Sequence, residues 1–117
     1  MSVSTYLFGK LSAIADTYPL SAPIETKVPF ITYSIDSTEV TKALSGRVAY
    51  TESFVTITVY EDEYDKSETL ALQVKGVLGC SEELNILGAT LNGKSNERID
   101  EPVDRYSVAL DYSIFER

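Results

Sequence analysis

The sequence predicts an α+β fold, an antiparallel four-stranded sheet with two helices packed on one face, its elements in the order α-β-β-α-β-β. Three observations predict it. Two stretches carry apolar residues at helical spacing, and other stretches alternate apolar with polar residues. Prolines, glycines and polar clusters separate them. The chain has 117 residues, enough for one domain spanning 1–117 and too few for two.

Residues 3–17 read as the first helix. Val3, Leu7, Leu11 and Ile14 form one stripe that Tyr18 extends, and Pro19 ends it, because a residue before proline avoids the helical region. Residues 18–29 hold Pro19, Pro23 and Pro29 and read as an extended connector. Residues 30–38 alternate Ile31, Tyr33 and Ile35 with Thr32, Ser34 and Asp36, a strand. Residues 39–52 are polar, include the turn pair Ser45-Gly46, and read as a loop. Residues 53–61 are a second strand, with Val55, Ile57 and Val59 on one side and Phe54, Thr56, Thr58 and Tyr60 on the other.

The acidic run Glu61-Asp62-Glu63-Tyr64-Asp65 leads into a second helix over about 66–79. Asp65 and Glu68 have capping-box spacing, and Leu70, Val74, Val77 and Leu78 form the buried stripe. Residues 84–98 read as one irregular strand or two short ones, with Asn92-Gly93 marking a bulge or a tight hairpin. Pro102 sits in a turn over 100–104. Residues 105–115 are the clearest strand, Tyr106, Val108, Leu110, Tyr112 and Ile114 facing one way and Ser107, Ala109, Asp111 and Ser113 the other. The second face of the sheet then carries Thr, Ser and Asp with Phe54, Tyr60 and Phe115, a surface suited to water or to a partner.

Composition narrows the function classes. The net charge is −8 and no Lys/Arg run exists, which argues against a phosphate-backbone binder and against attraction to anionic lipid. No apolar run approaches the ~20 residues that span a bilayer, and the N-terminus has no signal-peptide pattern. The reading is a protein kept in the host cytoplasm until it is used. The single Cys80 cannot form an internal disulfide, and there is no histidine, the commonest general base and zinc ligand. No Ser-x-x-Lys, nucleophile-elbow or phosphate-loop motif occurs. The expectation is a protein that is not an enzyme, with no cofactor. The acidic run 61–65 is the one candidate metal site, but it lacks the alternation and glycine of a calcium loop and reads as a solvated turn. Asp36 and Asp111 are an acid–base pair only if the fold sets them side by side.

The chain resembles the phage tail terminator, or tail-completion, family of small ring-forming virion proteins. The resemblance rests on the N-terminal helix ending near Tyr18-Pro19 and on the entry Val28-Pro29-Phe30-Ile31-Thr32-Tyr33 to the first strand. It also rests on the polar loop before the strand Phe54 to Tyr60, the acidic turn before an Ala/Leu/Val helix, and the closing segment Glu101-Pro102-Val103-Asp104-Arg105-Tyr106 into Leu110-Asp111-Tyr112. The match covers nearly the whole chain as a pattern of elements, without an invariant motif. It implies a homo-oligomeric ring, commonly a hexamer, that caps the tail tube, ends its polymerisation and offers a joining surface to the head or neck completion protein. The partners implied are further copies of the chain, the major tail-tube protein and the head/neck protein, in the virion tail. DNA passes through without specific binding. Candidate subunit or tube contacts are Arg47 and Tyr50 in the 41–53 loop, Phe54, Tyr60, Asn92 and Phe115. Two other readings are a different neck or head–tail joining protein, and a monomeric α+β ligand-binding or regulatory module.

Overall fold

The computed structural model describes residues 3–20, 27–42, 44–46, 48–79, 86–99 and 105–116. The elements are α1 (Val3–Leu11), β1 (Asp16–Pro19), β2 (Phe30–Lys42), β3 (Val48–Glu61), α2 (Tyr64–Gly79), β4 (Ile86–Ile99) and β5 (Arg105–Glu116). The strands form one five-stranded sheet in the order β1-β2-β3-β5-β4. β1 runs parallel to β2, and every other pairing is antiparallel. The sheet is therefore mixed and β-dominated, which corrects the antiparallel four-stranded expectation and the α-β-β-α-β-β order.

The missed strand lies where a helix end and a connector were expected. α1 stops at Leu11, whose carbonyl accepts the amides of Ile14 (2.9 Å) and Ala15 (3.2 Å) in a tightened last turn. The next residues, Asp16-Thr17-Tyr18, include a β-branched and an aromatic side chain that suit a pleated surface. Pro19 is tolerated because β1 is an edge strand, where a missing N–H interrupts no inner ladder. β1 leaves through Leu20, whose φ of 64° is left-handed and whose amide donates to Tyr33 at 2.7 Å. That hydrogen bond holds a conformation that leucine rarely adopts.

Alternation sorts the sheet into two faces. Ile31 and Tyr33 of β2, Val55, Ile57 and Val59 of β3, and Val108, Leu110, Tyr112 and Ile114 of β5 form one buried cluster with Val3, Tyr6, Leu7 and Leu11 of α1 and Leu70, Ala71, Val74 and Leu78 of α2. Both helices thus cover the same face. α2 starts at Tyr64, two residues before the expected 66, the Glu63 carbonyl accepting the Ser67 amide at 3.0 Å. Glu68 does not complete a capping box. It turns to β4, where it accepts from the Lys94 ammonium at 2.5 Å and from the Asn96 amide.

The Lys94 and Asn96 hydrogen bonds hold the Glu68 carboxyl below the usual carboxylate range. A depressed folded-state pKa contributes stability that is present above the unfolded value and is lost as pH falls through the folded one. Glu68→Ala should therefore lower the urea midpoint at pH 7 by the equivalent of less than about 1 kcal/mol, a part-exposed pair being screened by solvent. The deficit should shrink as the pH is lowered below 4. A deficit independent of pH would show that the carboxylate charge is not what ties β4 to α2.

The loop expected over 39–52 is instead strand. β2 and β3 pair from Phe30↔Tyr60 to Lys42↔Val48, with bulges between Ile35 and Ser37 and between Thr41 and Lys42. Among the described residues β3 meets β5 from Thr51 onwards, the outermost pair being Thr51↔Glu116. The hairpin therefore outruns the rest of the sheet as an arm, and the molecule extends 53 Å along one axis against 23 and 22 Å along the others. A 14-residue strand such as β3 spans roughly 46 Å by itself. Ser45 and Gly46 turn the chain at the tip, with Gly46 at φ 82°, a value that suits glycine. Polar composition misled here because β2 is exposed on both faces from Ile35 to Lys42, so no apolar alternation marks it.

β4 is a single irregular strand with register shifts at Ile86/Gly88 and Leu91/Gly93. Asn92 thus marks a bulge and not a hairpin.

Candidate functional site

The face opposite the helices combines hydroxyls, carboxylates and two aromatic clusters. It follows from the register: Phe30, Tyr60 and Ser107 lie on one row, Thr32, Thr58 and Ala109 on the next of that face, then Ser34, Thr56 and Asp111, and then Ser37, Phe54 and Ser113.

At one end of this face, Phe30 is 2% exposed although it lies outside the main core cluster. Tyr60 stacks on it at 4.5 Å with planes 14° apart, and Tyr18 meets it edge-on at 6.4 Å. The Arg105 guanidinium lies over its ring at 5.3 Å. This small second core gives the face a closed end. At the other end, below the arm, Tyr50 and Phe115 meet edge to face at 5.9 Å. With Gly88, Ala89 and Thr90 they line an open hollow of about 330 Å³.

Between the clusters, Thr56 sits between two carboxylates. Its hydroxyl donates to Asp36 at 2.6 Å and lies 3.3 Å from an Asp111 oxygen, while Ser34 donates to the other Asp36 oxygen at 2.9 Å. The fold thus brings Asp36 and Asp111 to one exposed site. One hydroxyl hydrogen serves one carboxylate at a time, so Asp111 is held less well than Asp36. Asp111→Asn should raise stability by about 0.3 kcal/mol at low salt, and the gain should fade in high salt. Matched thermal melts at two ionic strengths test this, and a loss of stability would mean that Asp111 is a needed acceptor.

The sequence-derived candidates separate as follows. Tyr60 belongs to the Phe30 cluster, and Tyr50 and Phe115 belong to the distal one. Phe54 lies on the same face, half-buried, opposite Ser113. Asn92 donates to the Ser113 hydroxyl at 2.7 Å, so it closes the bulge onto this face. The face therefore brings together Tyr50, Phe54, Tyr60, Asn92 and Phe115, with Tyr60 standing apart at the far end. Arg47, Cys80 and the turn over 100–104 lie outside the described residues. Phe30, Tyr18 and Arg105 were missed as members of this surface. The even spacing of Phe30 with Thr32 and Ser34, opposite to Ile31 and Tyr33, was the signal that placed Phe30 there. The acidic run is spread from the end of β3 to the first turn of α2, where Lys66 pairs with Asp62 at 3.6 Å. Among the described residues, no three potential metal-binding side chains come together. No described helix is long and apolar enough to cross a membrane.

Charge on this face is one-sided. Asp36, Glu39, Glu52, Glu97 and Asp111 share it with Arg105, which is engaged over Phe30.

No model of a known protein family matches the chain. No curated protein matches it in sequence. Among solved structures, it is similar to a chain of a structure described as "Virion of native gene transfer agent (GTA) particle". The two share 14% identity and a TM-score of 0.65 over 99% of this chain and 96% of that one. The likeness is one of fold, and it runs from end to end of both chains.

Proposed function

We propose that the chain is a structural protein of a phage-type virion, working as a subunit of the ring that ends the tail tube and joins it to the head side. One observation carries the virion reading: the end-to-end fold likeness to a chain of a gene transfer agent virion particle. The tail-end role rests on the sequence resemblance to tail terminators. The arm and the one-sided polar face are consistent with a subunit that works through contacts. Its role needs no catalysis and no cofactor. The helix-free face, with its carboxylates, turns toward the passage for DNA, where like charge keeps the nucleic acid from sticking.

The test is electron microscopy of tail-tube protein polymerised with and without this chain. Caps at tube ends and shorter tubes are expected. Tubes of unchanged length with bare ends would overturn the tail-end role, and decoration of isolated head or neck complexes instead would reassign the chain to the neck. A reconstruction with a basic bore would overturn the orientation given to the acidic face.

A further inference from the structure

The sheet has two open edges among the described residues, and they complement each other. On one side β1 covers only Phe30 to Pro19's partner Tyr33, so β2 offers its outer edge from 34 to 42. On the other side β4 is the terminal strand and offers its outer edge along all 14 residues. Such edges carry unpaired backbone N–H and C=O groups and are templates for another strand.

Strand direction selects the occupant. β3 runs against β2, β5 against β3 and β4 against β5, so β4 runs opposite to β2. A second copy set beside the first in the same orientation therefore brings its β2 antiparallel to the first copy's β4. The level also fits. Ser34, Thr56, Asp111 and Gly93 share one row, and Glu39, Glu52, Phe115 and Gly88 share another. Side by side, helix-free face continues into helix-free face, and tilt in a closed ring shifts the register by whole pairs of residues.

We infer that copies of this chain join through the outer edge of β2, at 34–42, and the outer edge of β4, continuing the sheet from one subunit to the next. The contact is heterologous, so repetition closes a ring or extends a filament. The inference rests on the ring reading above and names the surfaces that make it.

Disulfide trapping tests it in a Cys80→Ser background. One tagged copy carries Glu39→Cys, and a second, differently tagged, carries Thr90→Cys, Ser95→Cys or Glu97→Cys in turn; all four are exposed and on the helix-free face. The chains are oxidised alone at high concentration and in the presence of tail-tube protein. Mixed dimers are expected at one of the β4 positions, several-fold above either copy alone. Dimers of Glu39→Cys with itself would mean two-fold pairing and would overturn the inference, as would the absence of mixed dimers under both conditions. Caps on tubes without mixed dimers leave the tail-end role standing and remove this contact. Mixed dimers with bare tubes keep the contact and remove the tail-end role.

Discussion

Phe30→Ala should destabilise the domain by about 3–5 kcal/mol, measured by urea unfolding followed by circular dichroism. A domain of this kind has a total stability of about 5–15 kcal/mol, so the variant should be partly unfolded near body temperature. The size follows from what the ring touches. Phe30 is 2% exposed on a face whose next rows carry Thr32 and Thr58, then Ser34 and Thr56. Its burial comes from Tyr60 stacked at 4.5 Å, Tyr18 edge-on at 6.4 Å and Arg105 at 5.3 Å. Truncation leaves a hole among three amphipathic side chains, and it also removes the aromatic and cation–π terms. Tyr60→Phe keeps the stack and should stay within about 0.5 kcal/mol of the wild type. A cost below about 1 kcal/mol for Phe30→Ala would mean that this second core does not form.

Removing the arm should have the opposite signature. Replacing residues 41–50 by Asn-Gly joins Val40 to Thr51, already opposite each other, through a two-residue turn suited to hairpins. None of the described residues in that range belongs to the core cluster, which begins at Val55 on β3 and ends at Tyr33 on β2. The urea midpoint should fall only by the loss of the Tyr50–Phe115 edge contact, the equivalent of about 0.5–1.5 kcal/mol. Under the proposed tail-end role, capping of tail tubes should be lost, because the arm projects beyond the sheet and Leu44 at its tip is fully exposed. The exposed Val40 remains in this variant, so the loss would be assigned to the distal arm. A shortened variant that still caps tubes would show that the arm is dispensable and that the contacts lie on the body of the sheet.

The strands with one buried face were legible in the sequence. β5 alternates Tyr106 through Ile114 without interruption because one face meets the helices and the other does not. The inner half of β3 is legible for the same reason. The arm was not, since the outer half of β2 meets solvent on both faces and carries threonine, glutamate and lysine without an apolar repeat. β1 was hidden differently. Its four residues sit at an edge, too few for a pattern, and Tyr18 happened to fall on the continuation of the α1 stripe. The candidate surface was read in part. Tyr50, Phe54, Tyr60, Asn92 and Phe115 do share one face, but their grouping into two ends depends on cross-strand register, which a single strand's sequence does not contain.

The position of β5 sets the order in which the molecule can be made. It is the last strand of the chain order, yet it lies inside the sheet, between β3 and β4. Its partners on β3 are far back in the sequence, Thr51 pairing with Glu116. During synthesis, a ribosome that has released everything before residue 105 presents β3 with a bare inner edge and β4 with nothing to pair against. Both are exposed to stray strands until β5 emerges to fill the gap. The outer edge of β4 is therefore displayed on a finished sheet only after translation has passed β5, so unfinished chains lack one of the two borders by which copies would join.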